Sequence, residues 1–335
     1  MKIAIVSEFV AGYEVGLEWS YARAFEGLGH RVERVSLAHP GQRWPRGLVH
    51  FQELYSFARR QHDIATAVQA ADAELVLIIK GGGVFGDTVR SWRKDGRRVI
   101  NVFPDNPFEG AGVGLVARTL WDQFRAVECV FVHDRFAVAQ LRQASIRSEF
   151  IRFARDPLIH SDATHTVPKH DGSARDRIVF IGNPDRERIR YLRALIDLGL
   201  GIYGQWEWAR LSPQDPLAQC VRGGVQLGAA MVQRMRAARL SVNILRNCQK
   251  TAHNMRTFEI PACGTCTLSE ASVGVQELFA PGREIAVFRT PEELRATARE
   301  LLDSPGTVDA IARAGRARVE HETYSERASE LLSTL

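Results

Sequence analysis

Cys263 and Cys266, in the stretch NMRTFEIPACGTCTLSE, have the spacing of redox and zinc motifs. The other cysteines, Cys129, Cys220 and Cys248, supply no second close pair, so a closed structural zinc site is not expected. A redox pair belongs at the start of a helix, where the dipole lowers the thiol pKa. Here Met255, Phe258 and Ala262 have helical spacing, Gly264 follows as a stop, and TCTLS has the pattern of the next strand. The pair would therefore close a helix, and both cysteines are expected to be small, buried, apolar residues. Arg186 and Arg188 in GNPDRER offer a different chemistry. Two cations at a helix start oppose its dipole, which an anionic ligand would offset; the plainer alternative is a solvated turn of helix paired with Asp185 or Glu187. Gly182 and Asn183 just before them fit either a turn or the edge of such a site. Gly81, Gly82 and Gly83 can form a tight turn or let a ligand approach the backbone. His133 and Asp134, ending CVFVHD, suit hydrogen-bonded structure or catalysis.

Short apolar runs alternating with helical segments must position these residues. The first half gives KIAIVS, RVERVSL, ELVLIIKGGG, RVINVFPD, CVFVHD and EFIRFARD, separated by amphipathic stretches such as GLEWSYARAFEGLGH. That alternation predicts parallel strands joined by right-handed crossovers. A polar stretch at 161–176 has no apolar period and is expected to be a linker. The pattern then restarts with RIVFIG, a helix over 186–198, LGIYG, GAAMVQRMRAA, LSVNIL, the helix containing Glu259, TCTLS and EIAVF. Two doubly wound domains follow, and neither carries a full G-x-G-x-x-G fingerprint or a P-loop. Ligands of such sheets sit beyond the carboxyl ends of the strands, so the expected site is a cleft between the two domains. Its loops would be SEFVAGYEVG, KGGGVFG, PDNPFEG and HDR in the first half, and GNPDRER, GQWEW, RNCQKTAHNMR and SEASVGVQE in the second.

At 335 residues the chain exceeds a usual single core. With 45% hydrophobic and 25% charged residues its composition is that of an ordinary soluble globular protein. No apolar run reaches transmembrane length, and MKIAIVSEFV has the charge and length of a first strand and not of a signal peptide, which makes the cytoplasm the expected location. The net charge of +5 is scattered along the chain, as on a solvated surface. A basic groove for phosphates or a polyanionic partner stays open.

Three segments carry a family resemblance: HNMRTFEIPACG, LFAPGREIAVFRTPEEL and the arginine-rich segment 311–328. Together they resemble the C-terminal half of the CgeB-like glycosyltransferases, which are related to the retaining, family 4-like enzymes of the GT-B fold. The first half is similar more loosely, through VFPDNPF and the segment beginning CVFVHDRF. The resemblance implies two Rossmann-like domains facing a central cleft. An acceptor-binding domain would cover 1–160 and a nucleotide-sugar-binding domain 177–320, with a C-terminal helix over 321–335 crossing back to the first. It implies that Glu259 accepts hydrogen bonds from both ribose hydroxyls of the donor, a diol for which a carboxylate offers two acceptors in fixed geometry. The family's first glutamate falls where this chain has Thr251, which leaves retention or inversion open. His253 and Asn254, with the backbone through Met255 and Arg256, could serve in its place and cradle the pyrophosphate. Arg188 falls where the family has a basic residue against the diphosphate, and Arg186 is its neighbour.

The chain has no Asp-x-Asp triplet, so no metal cofactor is expected, and arginines and a helix N-terminus would stabilise the leaving nucleoside diphosphate. A retaining enzyme needs no strong side-chain base; an inverting one needs a base on the first domain, for which Asp105 and His133 are the candidates. Two alternatives are a nucleotide-sugar epimerase of GT-B type and a non-catalytic two-domain binding protein. The base, the sugar, the acceptor (small molecule, polysaccharide, protein or modified DNA) and the oligomeric state are not encoded in any motif of the chain.

Overall fold

The computed structural model describes residues 1–9, 14–37, 49–110, 115–160 and 176–335, and the side chains of all of these except 49–58, 110, 115 and 116. Two compact units form: Met1–Arg152 with Arg327–Leu335, and Phe153–Glu326. All but one residue of the stretch expected to be a linker, 161–176, lies outside the described residues.

In the first unit six strands form a parallel sheet: β1 (Lys2–Ser7), β2 (Arg31–Ser36), β3 (Leu75–Ile79), β4 (Arg98–Phe103), β5 (Cys129–Val132) and β6 (Ser148–Phe150). Their order is β2-β1-β3-β4-β5-β6. Residues Leu75 to Ile79 of β3 are all buried, as expected of an inner parallel strand covered on both faces. The order reverses between β1 and β3, and the turn after β3 is the one with three glycines. Lys80, Gly81 and Gly83 there have φ of 62°, 74° and 123°. A Cβ on Gly81 would lie 2.3 Å from Ile78 Cγ2, so the turn requires glycine. Gln123, fully buried, donates to the Gly81 and Val84 carbonyls at 2.8 and 2.9 Å and accepts from Asn101 at 2.9 Å, which fixes this turn from below. At the chain's end, Arg147 donates to the Thr334 carbonyl (3.2 Å) and Arg152 pairs with Glu330 (3.5 Å).

The second unit repeats the plan with β7 (Ile178–Ile181), β8 (Leu200–Tyr203), β9 (Val221–Gly223), β10 (Leu240–Asn243), β11 (Cys266–Glu270) and β12 (Ala286–Phe288), in the order β12-β11-β10-β7-β8-β9. Strand β9 is the element that the sequence reading does not include; its three residues, VRG, carry no apolar run and sit at the sheet's edge. The helix expected over 186–198 is α-helical only for Arg186–Leu192 and tightens to a 3-10 helix over Arg193–Leu198. The short helix Pro157–His160 packs in this unit, where Ile159 joins a core cluster with Met231, Met235, Ile260 and Cys263.

Candidate functional site

In the second sheet the order reverses between β7 and β10, and the loops beyond their carboxyl ends carry most of the polar residues named above. After β10, Asn254 opens the helix Arg256–Ala262: its Oδ1 accepts from the Thr257 backbone N–H at 3.1 Å, and its Nδ2 donates to Asn243 Oδ1 at 2.9 Å. Asn243 in turn donates to Thr257 Oγ1 (3.3 Å) and Ser269 Oγ (3.2 Å), so a buried polar lattice joins the ends of β10 and β11 to the helix start. The Met255 carbonyl accepts from Phe258 and Glu259 N–H, both at 3.0 Å. Glu259 is 5% exposed and pairs with Arg256, whose Nε also donates to the Ile181 carbonyl at the end of β7 (3.4 Å). Thr251 is exposed, and its carbonyl accepts from Gly274 N at 2.9 Å, which ties this loop to the one after β11.

His253 does not share that exposure. Its ring is fully buried between Phe153 and Phe258, with centroids 5.6 Å from each, and Nε2 accepts from the Phe153 N–H at 3.1 Å. Those contacts tie the loop after β10 to Phe153 and to the helix that carries Glu259.

The two arginines after β7 divide sharply. Arg186 is exposed and has no ion-pair partner among the described residues. Arg188 is 9% exposed; its Nε and Nη2 donate to the Ile244 carbonyl at 3.1 and 3.0 Å and its Nη1 to the Asn183 carbonyl at 3.1 Å. Burial holds its pKa below the usual guanidinium value, with Asp185 the nearest compensating charge. Arg188 thus spans the switch point, bracing the loop of Gly182 and Asn183 against the end of β10. The Gly182 carbonyl takes a 2.8 Å hydrogen bond from Trp208 Nε1, while the Asn183 side chain is exposed.

Lys250 and Glu270 lay within loops named from the sequence without being singled out. Lys250 pairs with the Glu270 carboxylate, whose other oxygen accepts from Leu245 N–H at 3.0 Å. A usable signal was present: Asn243 and Glu270 are polar residues at the carboxyl ends of two fully buried inner strands.

On the first unit, Asp105 is half-buried beyond β4 and His133 lies beyond β5. Asn106 and Asp134 link the two loops at 3.5 Å, and Asp134 caps the helix Arg135–Gln143 through Phe136 N–H at 2.8 Å. His133 is 3% exposed and its Nδ1–H donates to the Ile151 carbonyl at 2.7 Å; burial lowers its pKa to about 3. A ring so reluctant to hold a proton is a poor match to proton abstraction near neutrality.

Cys263 and Cys266 are each 1% exposed, on either side of Gly264, whose φ of 71° ends the helix. Pro261, which has no N–H for the carbonyl four residues back, helps to stop it. Burial pushes both thiols up to about 12. Neither is expected to react with iodoacetamide in the native protein at pH 8, whereas half-buried Cys248 should react first. Mass spectrometry of the alkylated native chain checks this, and early labelling of Cys263 or Cys266 would show that the pair is an accessible thiol site.

A family profile described as "Glycosyl transferase-like" matches residues 186–333. No curated protein matches the chain. Among solved structures, sucrose-phosphate synthase from Thermosynechococcus elongatus is similar with a TM-score of 0.69 at 13% identity, over 99% of this chain and 98% of that one. Anabaena HepE in complex with UDP-glucose is similar with a TM-score of 0.66 at 13% identity, over 99% and 100%. A protein from Listeria monocytogenes described as a UDP-N-acetylglucosamine 2-epimerase is similar with a TM-score of 0.57 at 12% identity, over 100% and 96%. These likenesses establish the fold: two parallel-sheet, Rossmann-like units of the GT-B type.

Proposed function

We propose that this chain is a glycosyltransferase that moves a sugar from a nucleoside diphosphate sugar to an acceptor hydroxyl, with the donor held by the second unit. The observation that carries this reading is Glu259: a buried carboxylate on a short helix at the switch point of a parallel sheet, inside the segment that matches the glycosyl transferase-like profile. Its oxygens suit a ribose diol, and exposed Arg186 with the backbone of 251–255 suits the diphosphate. Negative charge accumulates on the departing diphosphate in the transition state, so a cation held there accelerates the chemical step as well as binding. Retention is our reading of the stereochemistry, with the departing phosphate taking the acceptor's proton; inversion would call on Asp105. UDP is the first nucleotide to test, because HepE was solved with UDP-glucose.

A thermal-shift screen of nucleoside diphosphates and their sugars tests the donor. A ligand at 100 times its dissociation constant is expected to stabilise the chain by about 2.7 kcal/mol. No shift with any nucleoside diphosphate would overturn the reading. Because the chain has no Asp-x-Asp triplet, transfer is expected to survive excess EDTA; loss of turnover that magnesium or manganese restores would demand a metal site. The epimerase alternative, which the Listeria neighbour favours, predicts an isomerised sugar when donor is incubated without acceptor.

A further inference from the structure

At the C-terminal end of the helix that carries Glu259, the second unit has a pocket of about 390 Å³ whose wall includes Arg155, His160, Ala262, Arg313, Arg316 and Glu320. It shares no residue with the loops after β7, β10 and β11. Three arginines and one glutamate are among its lining residues. Arg155 donates from Nε to the Val319 and Glu320 carbonyls (3.1 and 3.2 Å) and from Nη2 to the same Glu320 carbonyl (2.6 Å), which holds it in place and leaves Nη1 for another acceptor. The Arg316 charge, after burial, is what most depresses the Arg155 pKa, so the two cations bear on each other. Arg313 is exposed and has no ion-pair partner among the described residues.

His160 supplies the second, independent observation. It is 4% exposed, and its Nε2 is buried with no hydrogen-bond partner among the described residues. The Asp156 backbone N–H donates to Nδ1 at 3.1 Å, while the Asp156 carbonyl takes the His160 N–H at 2.9 Å. Nδ1 also lies 3.0 Å from the Asp156 carbonyl, so the ring has a partner for either tautomer, and an anionic ligand at Nε2 selects the one in which Nδ1 accepts and Nε2 carries the proton. Burial keeps the ring neutral by lowering its pKa. A buried ring nitrogen without a hydrogen-bond partner is uncommon in a folded protein and calls for a ligand atom.

We propose that this pocket is a separate binding site for a phosphomonoester of a small polyol or sugar, with Arg155, Arg313, Arg316 and the His160 Nε2–H on the phosphate and the Glu320 carboxylate on a hydroxyl. The donors are all N–H groups, and guanidiniums match phosphate oxygens in pairs. The volume exceeds what a bare phosphate fills, and Glu320 would repel an anion unless a hydroxyl faced it. The site does not depend on the donor reading, so the two fail separately.

Calorimetry on the full chain, with inorganic phosphate and glucose 6-phosphate as probes, tests it. Both should bind saturably, with glucose 6-phosphate the tighter, and Arg313→Ala and Arg316→Ala should each weaken them by about tenfold, equivalent to about 1.4 kcal/mol. Arg313 is exposed, so its variant should keep the fold. The His160 Nε2 resonance should shift on titration with either probe, and saturating UDP should not compete. Absence of saturable binding in the millimolar range, competition by UDP, or a His160 resonance that does not move would each overturn the site. Equal affinity for the two probes would overturn the role of Glu320.

Discussion

Glu259→Gln is expected to weaken UDP binding by about 2 kcal/mol, roughly thirtyfold, without unfolding the protein. The carboxylate is 5% exposed and sits beside Arg256, which also reaches the Ile181 carbonyl. Glutamine keeps the volume and one acceptor, but removes the charge that strengthens both bonds to a ribose diol. Glu259→Ala should weaken UDP binding at least as much and also destabilise the chain by about 2 kcal/mol, because Arg256 loses its counter-charge. That figure lies below the 3 to 5 kcal/mol typical of a broken buried pair, since the Arg256 side chain is 25% exposed. Calorimetry with UDP separates binding from stability, and a urea titration reads the stability alone. Unchanged affinity in both variants would remove Glu259 from the ribose.

The parallel α/β architecture was legible because eleven strands coincide with apolar runs bounded by polar turns; the edge strand β9 was not, for want of any apolar run. The strand order could not be read from periodicity, which reports a segment's faces and not its neighbours. The same gap explains the site. Spacing placed Glu259 on a helix ending at Gly264, but not the inward turn of Arg188, whose acceptors at Ile244 and Asn183 lie on loops brought together only by the sheet. His133 and His253 carry side chains that sequence allows to be reactive. Their burial was not legible: His133 is hydrogen-bonded to the Ile151 carbonyl, and His253 lies between two phenylalanine rings. Lys250 and Glu270 are twenty positions apart, and their pairing follows only from the adjacency of β10 and β11.

Arg186→Ala and Arg188→Ala are expected to fail in different ways. The resemblance to the family favours Arg188 for the diphosphate, but three of its nitrogens already serve backbone carbonyls and its exposure is 9%. Removing it strands the buried Ile244 carbonyl and the Asn183 carbonyl, at about 1 to 3 kcal/mol for a buried unsatisfied group, so a stability loss of roughly 2 to 4 kcal/mol should accompany any kinetic defect. Arg186 is exposed, at the start of the helix Arg186–Leu192, with a charge that no described acidic group answers. Its alanine variant should melt within about 0.5 kcal/mol of wild type, as surface substitutions do. If it meets the diphosphate, kcat should fall along with a rise in KM, because charge on the leaving group is greatest in the transition state. A rise in KM alone would limit Arg186 to ground-state binding. Wild-type constants for Arg186→Ala, together with a folded Arg188→Ala that loses activity in proportion only to its stability, would shift the diphosphate onto the backbone of 251–255 and Lys250.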